Sequence, residues 1–482
     1  MLPSCDTSQA AAMAHDGATT PLLGSAAEPP RNIYPFACVT LASLTTALMG
    51  YNLAVMSGAE LFIREEFGLT GEQTEVLAGS MNAFMLASIL AAGRAADLLG
   101  RRGALLLANA FLVAGALAMS LGGSYAELMA ARFVTGTGAG LALVVAPVYI
   151  AEISPASTRG VLSSLLDICI NVGILLGYSS NYAFAGLPVH LGWRVMYAAG
   201  VLPPALIAAG VLAMPESPRW LAMRGRHADA RAVLACTSDT PADADLRLEE
   251  IKQAVSASQS GNGGGGVWKE MLVRPSPAVR RVLACVAGLQ FLQEASGIEA
   301  IVLYSPLVFK QAGMSSTAAV LGATVGVGAV KTISILVATS LSDRLGRRPL
   351  LLASTGGVAA AMASLAASLR LGGAATPAWC VASVLAFVVA FSVGFDPLVP
   401  AYSAEVLPLR LRAQGTSVVT AVGRMTCGLV SMTFVSLAGA ITMPGCFLVY
   451  ASVAAGASVF VYVRLPETRG RNLEDMEVLF AD

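Results

Sequence analysis

Apolar residues in this chain come in long unbroken runs, without the alternation of a half-buried strand or the single stripe of a surface helix. Runs of about 20 residues, the length a helix needs to cross bilayer hydrocarbon, fall at 34–58, 76–95, 103–122, 127–150, 161–183, 192–213, 281–305, 318–340, 349–369, 378–401, 414–437 and 444–464. This pattern predicts an all-α membrane protein with twelve transmembrane helices. The polar stretch 214–280 divides them into six and six. The expected units are a disordered tail at 1–33, a six-helix bundle at 34–213, a linker at 214–280, a second bundle at 281–464 and a tail at 465–482. Inside the linker, 228–234 and 246–255 carry helical spacing, whereas 256–266 is Ser/Gly-rich.

One charged phrase occurs in each half. Gly93-Arg94-Ala95-Ala96-Asp97-Leu98-Leu99-Gly100-Arg101-Arg102 is echoed by Ser340-Leu341-Ser342-Asp343-Arg344-Leu345-Gly346-Arg347-Arg348. Tyr149-Ile150-Ala151-Glu152, followed by Arg159, is echoed by Tyr402-Ser403-Ala404-Glu405, followed by Arg412. Such internal duplication is the mark of a secondary transporter, whose repeats rock around a site at their interface. Arg94, Asp97, Arg101, Arg102, Glu152 and Arg159, with Asp343, Arg347, Arg348, Glu405 and Arg412, fall at span ends. Charges so placed make inter-helix ion pairs and cap helix ends. They are expected to form a cytoplasmic gate whose breakage allows inward opening. Only Arg64, Lys310 and Arg370 are the main cations on the other side, so the positive-inside rule puts both termini in the cytoplasm.

Composition narrows the classes. The chain is 56% hydrophobic and 12% charged, with mean hydropathy +0.69, where soluble domains carry about 25% charged residues. Its partner is therefore the lipid bilayer. A formal net charge of zero gives no reason to expect nucleic acid. Eight cysteines without a CxxC pair suggest no metal site, no cofactor is implied, and nothing resembles a nucleophile triad or nucleotide loop, so the chain reads as no enzyme. Gly136-x-Gly138-x-Gly140 follows no strand and reads as close helix packing.

Two further motifs close the halves, Pro215-Glu216-Ser217-Pro218-Arg219-Trp220-Leu221 and Pro466-Glu467-Thr468-Arg469-Gly470. Together with Arg132-Phe133-x-x-Gly136-x-Gly138 and Gln293-x3-Gly297-Ile298-x5-Tyr304-Ser305-Pro306, they make the chain resemble the sugar porter family of the major facilitator superfamily. Gly50-Tyr51-Asn52, Asn181-Tyr182-Ala183-Phe184 and Val330-Lys331-Thr332 are similar to the plant polyol/monosaccharide branch. The resemblance implies two pseudo-symmetric six-helix halves that move a polyol or monosaccharide by alternating access, with a monomer as the transport unit. The plasma membrane is the expected location, with the vacuolar membrane as the alternative.

Polar residues inside spans mark the candidate site. In span five, Asp167, Asn171, Ile174 and Tyr178 share a helix face. In span seven, Gln290, Gln293 and Glu294 share another, and Ser296-Gly297 is expected to loosen the helix and bring Glu299 round to the same cavity. Carboxylates and amides on facing helices match solutes whose hydroxyls both donate and accept. By resemblance, Asp167, Gln293, Glu294 and Glu299 occupy binding positions, and Tyr304 completes the expected set, with Tyr51, Tyr178 and Phe84 as further ring faces.

Coupling is read from departures. The resemblance implies, in proton-coupled members, an aspartate in span one opposite the span-four arginine; here these positions are Asn52 and Arg132. An amide exchanges no proton, so facilitated uniport is the first expectation, with Asn52 and Arg132 meeting by a hydrogen bond. Proton symport through Asp167 or Glu294 is the alternative. A non-transporting sensor is a third reading, because the usual Gly-Pro and Trp of span ten read Asp396-Pro397 and Pro400, and the usual Asn before Arg424 reads Gly423. Pro397 and Pro400 are expected to bend span ten, and Asp396 to pair with Arg424.

Overall fold

A computed structural model describes residues 33–155, 158–238, 240–260, 277–407 and 412–466. The expected tail at 1–32, the Ser/Gly-rich part of the linker at 261–276 and the tail from 467 lie outside the described residues. Among the described residues every regular element is helical. The first half contains α1 (Ile33–Phe67), α2 (Gly71–Leu121), α3 (Tyr125–Ile153), α4 (Arg159–Phe184), α5 (Val189–Ala199) and α6 (Leu202–Leu212). Three helices follow between the halves, α7 (Pro218–Met223), α8 (His227–Thr237) and α9 (Pro241–Ser260). The second half contains α10 (Pro277–Ala295), α11 (Ile298–Gln311), α12 (Thr317–Leu345), α13 (Arg347–Leu371), α14 (Thr376–Ala390), a five-residue π-helix at Phe391–Phe395, α15 (Asp396–Val406), α16 (Arg412–Ile441) and α17 (Met443–Arg464). Ten helical stretches among the described residues are long and apolar enough to cross a membrane.

One of those ten is two legs of a hairpin. α2 has 51 residues, which as a straight rod would run about 75 Å, more than twice the ~30 Å of bilayer hydrocarbon. Arg132 of α3 donates to the carbonyls of Leu77 and Ala78, while Gly115 lies against Thr135, within one turn of Arg132. Residues 77 and 115 reach the same turn of α3 only if the chain reverses between them. The reversal is at Gly100, whose φ of 82° and ψ of 167° leave the helix and favour a residue without a Cβ. The same property lets Gly136, Gly138 and Gly140 of α3 seat against both legs, on Met81 and Met85 of the first and Ala108 of the second. The packing reading of that triplet holds.

Span seven is broken, as Ser296-Gly297 suggested. Gly297 takes a left-handed φ of 93° between α10 and α11, a conformation that costs glycine little. Span ten is interrupted by more than its prolines. The Ser354 hydroxyl of α13 inserts into its ladder, donating to the Ala390 carbonyl at 2.6 Å and accepting from the Phe395 amide at 2.8 Å. The turn it props apart is the π-helix, as expected where a side chain enters the i→i−4 ladder. Pro400 then leaves the Asp396 carbonyl without its helical donor.

The intervening helices have their own small core of Leu221, Ala230, Leu234, Ala244 and Leu248. They dock on the first half: Trp220 Nε1 donates to the Asp97 carbonyl at 3.0 Å, and Arg247 to the carbonyl of Ser154 at 3.1 Å.

Candidate functional site

Between the halves lies a cavity of about 270 Å³. Asp167 and Asn171 reach it from α4, Gln290, Gln293 and Glu294 from α10, and Glu299 from α11. Lys331 of α12, Asp396 of α15 and Arg424 of α16 complete its charged lining. Six of the seven expected binding residues are thus brought together from three helices. The seventh is not. Tyr304 lies outside this cavity, with its hydroxyl donating to the Ser431 carbonyl at 2.7 Å and its ring stacked on Phe434 at 5.1 Å. Tyr51, Tyr178 and Phe84 also face elsewhere: Tyr51 donates to the Met196 carbonyl, Tyr178 to the Val302 carbonyl, and Phe84 meets Phe133 edge-on. The aromatic side chain that does line the cavity is Phe391, from the π-helix.

The amides of α10 are set by the broken helix opposite. Gln293 Nε2 donates to the carbonyls of Phe395 at 2.8 Å and Asp396 at 3.4 Å, taking the place of a backbone donor. Gln290 Nε2 in turn donates to Gln293 Oε1 at 2.9 Å and to Glu294 Oε1 at 3.1 Å. The second Glu294 oxygen accepts from the Cys427 thiol at 3.1 Å. Gln290 also occupies the space over Gly423, where a Cβ would come within 2.9 Å of its Nε2. The missing Asn of α16 is therefore filled from α10. Glu299 Oε1 accepts from Asn82 Nδ2 of the first half at 2.7 Å, beyond the Gly297 break.

The cations sort differently from the expectation. Asp396 lies 3.9 Å from Lys331 Nζ and forms no ion pair with Arg424 among the described residues. Arg424 stays half-buried in the field of Glu294, Glu299 and Asp396. Asp167 is open to the cavity, facing the charges of Asp396 and Lys331, and Asn171 Nδ2 donates to its main-chain carbonyl at 2.8 Å.

The expected Asn52–Arg132 hydrogen bond is not formed. Asn52 Nδ2 donates to the Leu48 carbonyl of its own helix at 2.8 Å. Arg132 is fully buried, and its guanidinium is held by the Leu77 and Ala78 carbonyls and the Met81 sulfur, because these lie on the adjacent leg of α2.

At the charged rim, the repeated motifs make repeated contacts. Arg101 pairs with Glu152 at 2.9 Å and with Asp97 at 3.3 Å, and Arg347 pairs with Glu405 at 3.2 Å. Arg102 donates to the Leu212 carbonyl, as Arg348 does to that of Tyr462. Tyr149 and Tyr402 donate to the carbonyls of Pro215 and Pro466. Arg94 is exposed and joins no ion pair among the described residues. The side chains of Arg159, Asp343 and Arg412 lie outside the described residues.

Glu216 and Ser217 belong to this rim although only their motif stood out in the sequence. Glu216 Oε1 accepts from the Arg101 amide at 2.8 Å and the Arg102 amide at 3.2 Å, where helix two resumes after Gly100, and Ser217 Oγ donates to Glu152 at 2.5 Å. A carboxylate just past a span, facing a Gly-Arg-Arg reversal, was the available signal. At the opposite end, the Glu75 carboxylate accepts from the amides of Val435 at 2.5 Å and Ser436 at 3.1 Å, across the seam between the halves. The cavity is thus closed at the end holding Glu75. Its lining instead extends to Thr416 and to Ser403, two residues before Glu405 of the rim.

The whole chain has relatives of this build. A family described as "Sugar (and other) transporter" matches residues 38–480. Polyol transporter 5 of Arabidopsis thaliana is 49% identical over 473 residues, spanning 94% of this chain and 88% of that one. The glucose transporter GlcP of Staphylococcus epidermidis is 33% identical, over 91% of this chain and 95% of its own. Among solved structures, the proton:xylose symporter XylE bound to 6-bromo-6-deoxy-D-glucose superimposes with a TM-score of 0.76 at 26% identity, covering 93% of this chain and 99% of that one. The duplicated rim, the cavity between two helical halves and these matches lead to one conclusion: the chain belongs to the sugar porter family of the major facilitator superfamily.

Proposed function

We propose that this protein carries a polyol or monosaccharide across a membrane by alternating access, with the solute seated in the cavity between the halves. The composition of that cavity carries the reading. Asp167, Glu294, Glu299 and Asp396 accept hydrogen bonds, Lys331 donates, and Asn171, Gln290 and Gln293 do both, which suits a solute whose every hydroxyl has both capacities. At about 270 Å³ the space is small, just below the ~300 Å³ at which drug-sized pockets begin. Similarity to a polyol transporter supports a polyol, and similarity to glucose and xylose transporters supports a monosaccharide.

In this reading the chain crosses the membrane twelve times, α2 counting twice and α10 with α11 once, with both termini cytoplasmic and the plasma membrane as its site. The rim pairs form the cytoplasmic gate, and the described conformation is open toward that rim. Asn52 favours facilitated uniport, whereas a buried carboxyl on the same helix, Glu60, favours proton coupling.

The test is uptake of labelled sorbitol, myo-inositol, xylose and glucose into proteoliposomes, with and without a proton gradient. Uptake of at least one solute, lost in Asp167→Asn, is expected. Binding without flux of any of them overturns transport and supports a sensor.

A further inference from the structure

Two turns beyond Asn52 on α1 stands Glu60, which no part of the cavity uses. It is 3% exposed, and its Oε2 has no hydrogen-bond partner among the described residues. It borders a second, smaller cavity of about 30 Å³, whose wall includes Arg64 and Thr74 of the first half and Tyr304, Leu307 and Val435 of the second. That space has room for a water or two. It lies at the seam between the halves, on the closed side beside the Glu75 contact with Val435.

The charged groups acting on Glu60 are Arg64 on its own helix and Arg132 on α3. The phenols of Tyr197 on α5 and Tyr304 on α11 face it as well, and Glu75 of α2 acts on Tyr304 from across the seam. Arg132 meanwhile has no carboxylate within bonding distance among the described residues. A buried cation without a paired anion and a buried carboxyl with an open oxygen therefore sit on neighbouring helices. Ionisable groups inside spans are rarely ornamental, and carboxyls there serve as proton relays.

Resting on the transport reading above, we infer that Glu60 is the proton-exchanging group that couples solute movement to proton movement in this chain. The step is a plain acid–base exchange. A proton from water on the side where the seam stands open forms the O–H bond on Glu60, and is returned to water when the seam opens on the other side. Each exchange changes the attraction between Glu60 and the Arg132 and Arg64 cations, so the proton load and the state of the seam are linked. The amide at position 52 then needs no titration of its own.

The test uses the full chain in proteoliposomes and whichever labelled solute it carries, read two ways: counterflow exchange without a gradient, and accumulation under an inside-alkaline gradient. Wild type is expected to show both, with accumulation several-fold above equilibrium. Glu60→Gln should keep counterflow and lose accumulation. Glu60→Asp should keep accumulation with a shifted pH midpoint, a readout that stands even if the Gln variant fails to fold. Absent counterflow in wild type overturns the transport reading itself. Counterflow with no gradient response in wild type, accumulation intact in Glu60→Gln, or an unmoved midpoint in Glu60→Asp each overturns the role of Glu60, as does loss of accumulation only in Asp167→Asn or Glu294→Gln.

Discussion

The two ends of the bundle are held together by different means. At the charged rim, Arg101 with Glu152, Arg347 with Glu405, and the tyrosine bonds to Pro215 and Pro466 each tie helices within one half. At the other end Glu75 reaches Val435 and Ser436, Tyr178 reaches Val302, and Asn82 reaches Glu299, all from the first half to the second. Duplication explains the first set, since a repeated sequence folds each half onto itself in the same way. The second set is made by residues with no counterpart in the repeated phrases. Each half is thus a unit at the rim, and among the described residues the side-chain hydrogen bonds between the halves lie at the cavity, where Thr332 donates to the Asn171 carbonyl at 3.3 Å, and beyond it, an arrangement that suits a rocking motion.

The largest effect should come from breaking a unit. Arg101 and Glu152 are each 9% exposed, and removing one partner of a buried pair costs about 3–5 kcal/mol. Arg101→Ala should lower the melting temperature in detergent clearly. Arg347→Ala should lower it less, because its pair is 20% and 28% exposed. Equal losses would show that the two rims are not distinguished by burial.

Next is the seam. Glu75→Gln removes the charge from bonds to two amides, worth about 1.5–3 kcal/mol for a charged acceptor, and should populate the state open at that end. With Leu307→Cys as reporter, labelling by a membrane-impermeant thiol reagent should rise about tenfold or more; unchanged labelling would remove Glu75 from the closure. Gly423→Asn should act within the cavity. Its side chain collides with Gln290, an overpacking cost of about 1–3 kcal/mol, so KM should rise, and Gln290→Ala in the same chain should restore part of the loss.

The smallest effect is expected between α8 and α9. Arg231 donates to Asp245 at 2.7 Å on the exposed face, and this bond holds the Asp245 carboxyl below its ordinary range. Its contribution is present above the ordinary aspartate range and is lost as pH falls through the lowered value. Arg231→Ala should leave uptake at neutral pH unchanged.

The spans, the duplication and the meeting of Asp167 with Gln293 and Glu294 were legible because they depend on runs, repeats and helix spacing. The Gly297 break was legible too, since a small residue after a polar face has few other uses. Ser354 was not: one hydroxyl among many on an apolar helix carries no mark of the ladder it enters. Glu60 was hidden by its neighbours, because Arg64, Glu65 and Glu66 make it read as the start of a solvated loop. Arg132 was paired wrongly because its partners are main-chain carbonyls, which every sequence has. The position of Tyr304 depends on the facing carbonyl of Ser431, for the same reason.

The Ser354 peg has a consequence for what the solute meets. A turn of span ten that closed to ordinary α geometry would absorb one residue, advancing everything after it by about 100° of rotation and 1.5 Å. Asp396 would swing off Lys331 and the next side chain would take its place. One hydroxyl, lent by a neighbouring helix, sets the azimuth of the whole cavity-facing segment, much as a key pinned in its slot sets the angle of a shaft.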